Sequence, residues 1–198
     1  MKTYCKPATV NVESWKFNEP AVIECFRNKR GRKDFQHLLC STGTITMREI
    51  AEDRLNGNIS RIMNAETAVA KMLTQKIVDR NLKLKQIRQF QRVDGLTQKL
   101  RDICQESPEQ QVYEYIAVFA LKPLFRAKIM QIQYGSIPKR GGVAGKRKIE
   151  RLLRRKFHGK VTVVKGDITK AYPSVTVSIV MEMLRRDIGK NKVLLWFL

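Results

Sequence analysis

Residues 161–177 read VTVVKGDITKAYPSVTV, a run that leaves little conformational freedom. Val161, Val163 and Val164 are β-branched and lead into a single carboxylate, Asp167. Side chains branched at Cβ favour a strand. Tyr172 follows five residues after Asp167, and Pro173 then closes the run, since proline donates nothing to a central ladder. Further on, Val177, Val180, Met181, Leu184 and Ile188 recur at helical spacing. The pattern predicts a buried strand over 161–168 with a carboxylate at its end, a tight turn holding an aromatic, and an amphipathic helix. A carboxylate at the end of a rigid strand suits Mg²⁺, and two metals about 3.5–4 Å apart clamp both oxygens of an in-line phosphoryl displacement. The same local pattern also fits a surface aspartate with Tyr172 as a packing residue.

The preceding residues supply cations. Residues 134–145 form a glycine-rich loop with Pro138 inside it, and Gly141-Gly142 permits close backbone approach to a ligand. It is not a Walker loop, because Lys146 is followed by Arg147 and GxxxxGK[ST] is absent. A helix is predicted next, with Ile149, Leu152, Leu153 and Phe157 inward and Lys146, Arg147, Arg151, Arg154 and Arg155 largely on the other side. Between residues 139 and 160 only Glu150 is acidic. So unbalanced a run repels itself unless a polyanion meets it. The whole chain repeats the bias: 39 Lys and Arg against 18 Asp and Glu give a net charge of +21, which points to nucleic acid. No apolar run approaches the roughly 18 residues that a membrane span needs, and no hydrophobic signal core opens the chain. Cys5, Cys25, Cys40 and Cys104 lie far apart with no CxxC pair, and only His37 and His158 could join them on zinc. They read as reduced structural thiols of a cytoplasmic protein.

The first 82 residues read as mainly helical. Asn18 is an expected cap, with Pro20 in the first turn and Val22, Ile23 and Phe26 on one face. Residues 28–34, NKRGRKD, make a basic turn that suits either phosphate or solvent. Thr46 and Glu49 form a capping box for a short helix ending at Asn56-Gly57. A longer helix is expected after Asn64, buried through Ala68, Val69, Met72, Leu73 and Ile77. Segments 87–93 and 96–104 flank Asp94-Gly95, a two-residue hairpin signal. Lys99 and Arg101, two apart, then share a face. Two such cations can grip a triphosphate, or simply make a solvated basic edge. Ser107, Pro108 and Gln110 open a further helix, with Val112, Tyr113, Ile116, Ala117, Ala120 and Leu124 as its apolar face and Pro123 at its end. Tyr113 and Tyr115 read as packing residues. Residues 191–198 end in KVLLWFL, which is expected to pack on something outside this chain.

Three ordered segments carry a resemblance. GDITKAYPSV (166–175) resembles the first catalytic motif of reverse transcriptases. QYGSIPKRGGVAGKRKIERLL (133–153) resembles the segment before that motif in the bacterial and phage enzymes related to group II intron and diversity-generating retroelement reverse transcriptases. LTQKLRDICQESPEQQVYEYIAVFALKPLF (96–125) looks like the fingers segment and its following helix. The resemblance covers residues 83–198 and implies an α+β fold: the fingers and front palm of a right-hand polymerase, with strand 161–168 in the palm sheet. It implies RNA-directed DNA polymerase activity with Mg²⁺ or Mn²⁺. In it Asp167 and the backbone carbonyl of Ile168 are metal ligands, Lys99 and Arg101 take the triphosphate, and Tyr172 excludes a 2′-hydroxyl. Arg140, Lys146, Arg147, Arg151, Arg154 and Arg155 meet an RNA template and DNA primer. The primer 3′-hydroxyl would attack the α-phosphate, with catalysis by positioning and charge stabilisation. The YxDD carboxylate pair and thumb of such enzymes have no counterpart here, so the expectation is a truncated or split enzyme, inactive unless a second chain or further segment completes it. A cytoplasmic bacterial or phage setting follows from the same resemblance. Two other readings stand beside it: a non-catalytic RNA-binding protein in which Asp167 is inert, and an RNA-templated RNA polymerase or template-independent polymerase on the same palm.

Overall fold

The computed structural model describes residues 3–135, 137–157, 159–168 and 174–198. Among them are nine helices and one antiparallel pair of strands. The helices are α1 (Trp15–Phe26), α2 (Lys33–Cys40), α3 (Met47–Leu55), α4 (Ser60–Val78), α5 (Pro108–Ala120), α6 (Lys122–Lys128), α7 (Gly142–Lys156), α8 (Val177–Ile188) and α9 (Lys192–Phe197). The strands β1 (Arg88–Val93) and β2 (Leu100–Gln105) lie between α4 and α5 in the chain.

The core forms where α1 lies against α4 and α5, with α2 bracing both. Val22 and Phe26 of α1, Val69, Leu73 and Ile77 of α4, and Val112 and Ile116 of α5 are fully buried there. Phe26 meets Phe35 edge-on at 5.2 Å, and Phe17 meets Phe119 at 5.3 Å. The stripe on α4 is the one expected from its helical period, with Ala68 and Met72 at its margin. The helix itself begins at Ser60, a turn before the expected start. α1 likewise begins before Asn18. Asn18 is not a cap: it is buried inside the helix, and its Nδ2 donates to the Val12 carbonyl at 2.7 Å and to Thr74 Oγ1 at 2.8 Å. Pro20 is therefore internal, and the helix forgoes its N–H bond to the Lys16 carbonyl. Burial of the following apolar turn outweighs that loss.

Two capping boxes do form as their sequences require. Thr46 and Glu49 close the start of α3, and Ser107 and Gln110 that of α5, with Pro108 in its first turn. α3 stops at Asn56, and Gly57 follows at φ +66°, the left-handed conformation glycine supplies without strain. The basic turn 28–34 is structural. Arg30 makes a two-pronged ion pair with Glu66, which is wholly buried, at 2.6 and 2.9 Å. Arg32 does the same with Asp34 at 3.1 and 2.6 Å.

The hairpin departs from the two-residue turn. Its register pairs Val93 with Leu100, so six residues, 94–99, form the loop. Asp94 explains this: its carboxylate accepts the Leu96 N–H at 3.0 Å, its own N–H donates to the Lys99 carbonyl, and its carbonyl accepts from Gln98. An aspartate that bonds two residues ahead builds its own turn.

Three apolar expectations fail for one reason. Residues 161–168 form no strand, and Val164 is 90% exposed. On α7, Ile149 is 59% and Leu152 44% exposed, Phe157 is exposed too, and Gly145 alone is buried. The first turns of α8, from Val177 to Val180, are exposed while Ile188 is buried. Periodicity specifies which face of an element is apolar; burial needs an opposing surface, and among the described residues none covers these faces. The α+β content is thus helices plus one hairpin, and no described strand builds a palm sheet.

The C-terminal run, in contrast, finds its partner inside the chain. Leu194 is fully buried and Phe197 meets Tyr113 edge-on at 6.0 Å. Asn191 fixes this docking: its Nδ2 donates to the carbonyls of Cys5 (3.0 Å) and Val10 (2.8 Å), and its Oδ1 accepts from the Leu194 N–H. Asn191→Ala strands two buried carbonyls and removes a helix cap, so stability should fall by about 2–4 kcal/mol in denaturant unfolding. Arg30→Ala leaves the Glu66 carboxylate buried without its partner and should cost about 3–5 kcal/mol. Wild-type midpoints for either variant would contradict these assignments.

Candidate nucleic-acid interface

The helix α7 presents its cations on a face that no other element among the described residues covers. Gly141 precedes it in extended conformation, and no side chain caps its first N–H groups. Tyr134 packs on Gly145, where a Cβ would come within 3.2 Å of the ring, so any larger residue would press on the tyrosine. The loop is tied by Arg140, whose Nη1 donates to the Met130 carbonyl at 3.0 Å and reaches that of Gln133 at 3.5 Å. Arg140 is thus engaged with its own backbone, half-buried, and less free for a phosphate than its neighbours. Lys146, Arg147, Arg151, Arg154 and Arg155 are all exposed. Arg151 touches the Arg147 carbonyl at 3.3 Å, and Lys146 stands 3.9 Å from Glu150. Lys148, Arg151, Leu152, Arg155 and Lys156 line an open groove of about 320 Å³. Cations in the last turn are favoured by the helix dipole, whereas Lys146 and Arg147 in the first turns oppose it.

The hairpin is the second basic surface. Arg101 pairs with Asp94 at 2.8 Å, while Lys99 lies in the loop rather than in β2. The shared-face argument for Lys99 and Arg101 therefore does not hold, since it required both in one strand. Both are exposed near the hairpin tip. Directly opposite Arg101 is Arg92, and two residues along each strand Phe90 faces Ile103. Arg92 went unnoticed in the sequence because its partner depends on register. The alternation Arg88-Gln-Phe90-Gln-Arg92 was the available signal.

Asp167 is exposed, and its Oδ1 accepts the N–H of Ile168 at 2.9 Å. Among the described residues no three His, Cys, Asp or Glu side chains come together as metal ligands. One exposed carboxylate with an oxygen already engaged is not by itself a site for two Mg²⁺ ions. Tyr172 and His158 lie outside the described residues. The four cysteines are free; Cys5 and Cys25 are buried, Cys40 is half-buried, and Cys104, against expectation, is exposed on β2. No helix among the described residues is long and apolar enough to cross a membrane. Comparison with family models, with curated proteins and with solved structures finds no match.

The Asp94 turn sets where Arg101 points. The Leu96 N–H, helped by Thr97 and Arg101, holds the Asp94 carboxyl below its ordinary range. A depressed carboxyl pKa stabilises the turn above the unfolded value and loses that contribution as pH falls through the folded one. Protection of the Leu96 amide against hydrogen exchange should therefore weaken on acidification below about pH 4. Asp94→Ala should abolish the pH dependence; a protection profile equally steep in the variant would reject the assignment.

Proposed function

We propose that this chain is a nucleic-acid-engaging part of a reverse transcriptase-like polymerase, binding an RNA template with its DNA primer through α7 and a deoxynucleoside triphosphate near the hairpin. The single observation carrying the reading is the uncovered basic face of α7, where Glu150 alone offsets the cations between residues 139 and 160. The ordered resemblance in 96–125, 133–153 and 166–175 supports the polymerase class. Lys99 and Arg101, exposed at the hairpin tip, supply charge for the triphosphate. Nucleotidyl transfer then needs carboxylates beyond those described here, from a second chain or a further segment.

A second reading, a non-catalytic RNA-binding protein, is favoured by Asp167 being exposed and joining no cluster of three potential metal ligands among the described residues. Calorimetric titration with a deoxynucleoside triphosphate separates the two. Binding weakened by Lys99→Ala and Arg101→Ala supports the polymerase reading; absence of binding with RNA affinity intact supports the other.

Contacts through phosphates make affinity fall with salt, by about 0.9 log units per log unit of salt for each duplex contact. Replacing Arg147, Arg151, Arg154 and Arg155 by Ala should weaken RNA–DNA hybrid binding across sequences and flatten that slope by up to about 3–4. An unchanged slope removes α7 from the interface. Primer extension by the pure chain should be undetectable with Mg²⁺ or Mn²⁺. Template-directed extension abolished by Asp167→Ala would show that the donor set is complete after all.

A further inference from the structure

The two faces of the hairpin differ sharply in charge. Strand pairing places Arg88 opposite Gln105, Phe90 opposite Ile103, and Arg92 opposite Arg101 on one face. The other face carries Asp102, which accepts from Gln91 Nε2 at 2.9 Å, and no cation. Like charges directly opposite on neighbouring strands destabilise a sheet, and Asp94 offsets only Arg101. Phe90 is 38% exposed in the middle of this face, and the Arg88 guanidinium lies 5.7 Å from its ring centre. An apolar ring flanked by arginines, on a face that no other described element covers, calls for a ligand with both a π-surface and repeated negative charge.

We infer that this face, built on Arg88, Phe90, Arg92, Arg101 and Ile103, is a binding platform for single-stranded nucleic acid. A base stacks on Phe90, and the phosphates on either side of it meet Arg88 at one end and the Arg92–Arg101 pair at the other. Four residues of strand separate Arg88 from Arg92 by about 13 Å, so one phosphate cannot serve both while a phosphodiester chain can. Aromatic stacking accepts any base but requires it unpaired; in a duplex the faces of the bases are already stacked and Phe90 is idle. The inference is independent of metal binding and of nucleotidyl transfer, and it concerns a surface other than α7.

The test is fluorescence anisotropy of the full chain with labelled oligo(U) and oligo(dT), against a duplex of the same length, over a range of salt. Phe90→Leu, which keeps an apolar side chain at a half-exposed site, should weaken single-strand binding about tenfold at unchanged salt slope. Phe90→Trp should retain or tighten it. Arg92→Gln should lower the salt slope by about 0.7, the value for one single-strand phosphate contact. These effects should persist with the four α7 arginines replaced, which separates this platform from the helix. Wild-type affinity in Phe90→Leu overturns the proposal. So does equal loss of single-strand and duplex binding, which would mean a β-ribbon set in a groove. Thermal melts of each variant distinguish lost contact from lost fold, and intact platform binding without any nucleotide binding would leave this inference standing while the polymerase reading fails.

Discussion

Asn191 ties the segment after α8 to the first residues of the chain, and the placement of the basic helix α7 follows from that closure. Its carboxamide reaches the carbonyls of Cys5 and Val10, 186 and 181 residues away in sequence. Beside it the Tyr4 N–H donates to the Asp187 carbonyl at 2.8 Å, and Lys128 pairs with the Asp187 carboxylate at 3.4 Å. The described residues between Lys128 and Asp187 therefore leave the core at the end of α6 and come back beside it, where Leu184 already packs on it. Closing a long loop costs only slowly more entropy as it lengthens, so a few buried contacts at its root suffice. The ion pair at that root is half-exposed and adds little; the buried amide and the apolar side chains of Ile188 and Leu194 supply the hold.

Cations divide along the same line. In the helical core several are committed: Arg30 to Glu66, Arg61 to Asp53, Lys76 to Glu109, Arg80 to Glu13. Several bridge elements far apart in sequence and so fix the packing of α4 against its neighbours. In the excursion, the arginines of α7 have Glu150 as the only acid within reach along their helix. This set is where a polyanion lowers the free energy most, because self-repulsion is relieved as well as new attraction gained.

Legibility in the sequence followed the range of the forces involved. The capping boxes at Thr46 and Ser107, the stop at Gly57 and the stripe on α4 depend on residues within a turn or two of one another, and they were readable. Asn18 misled because a side chain that usually caps a helix was instead spent on Val12 and on Thr74, a partner 56 residues away. Asp94-Gly95 misled because the aspartate bonded forward into a longer loop. The C-terminal KVLLWFL looked homeless because Tyr113 and the first residues of the chain, which receive it, carry no local mark of that role. In the site, the exposed cations of α7 were legible from helical period and charge count. Arg92 was not, since only the register of β1 against β2 sets it across from Arg101.

The same reasoning bears on Asp167. The valines before it have high strand propensity, yet propensity in a sheet reports packing against neighbouring strands more than any intrinsic backbone preference. Among the described residues no strand pairs with 161–168, and the Asp167 carboxylate accepts from the adjacent Ile168 N–H. A pairing strand would fix the backbone and with it the direction of the Asp167 side chain, whereas burial of Val161 and Val163 on one face, or of Val164 on the other, needs a covering layer as well. Only a polypeptide edge could supply that pairing, since a nucleic acid carries no ladder of peptide N–H and C=O groups.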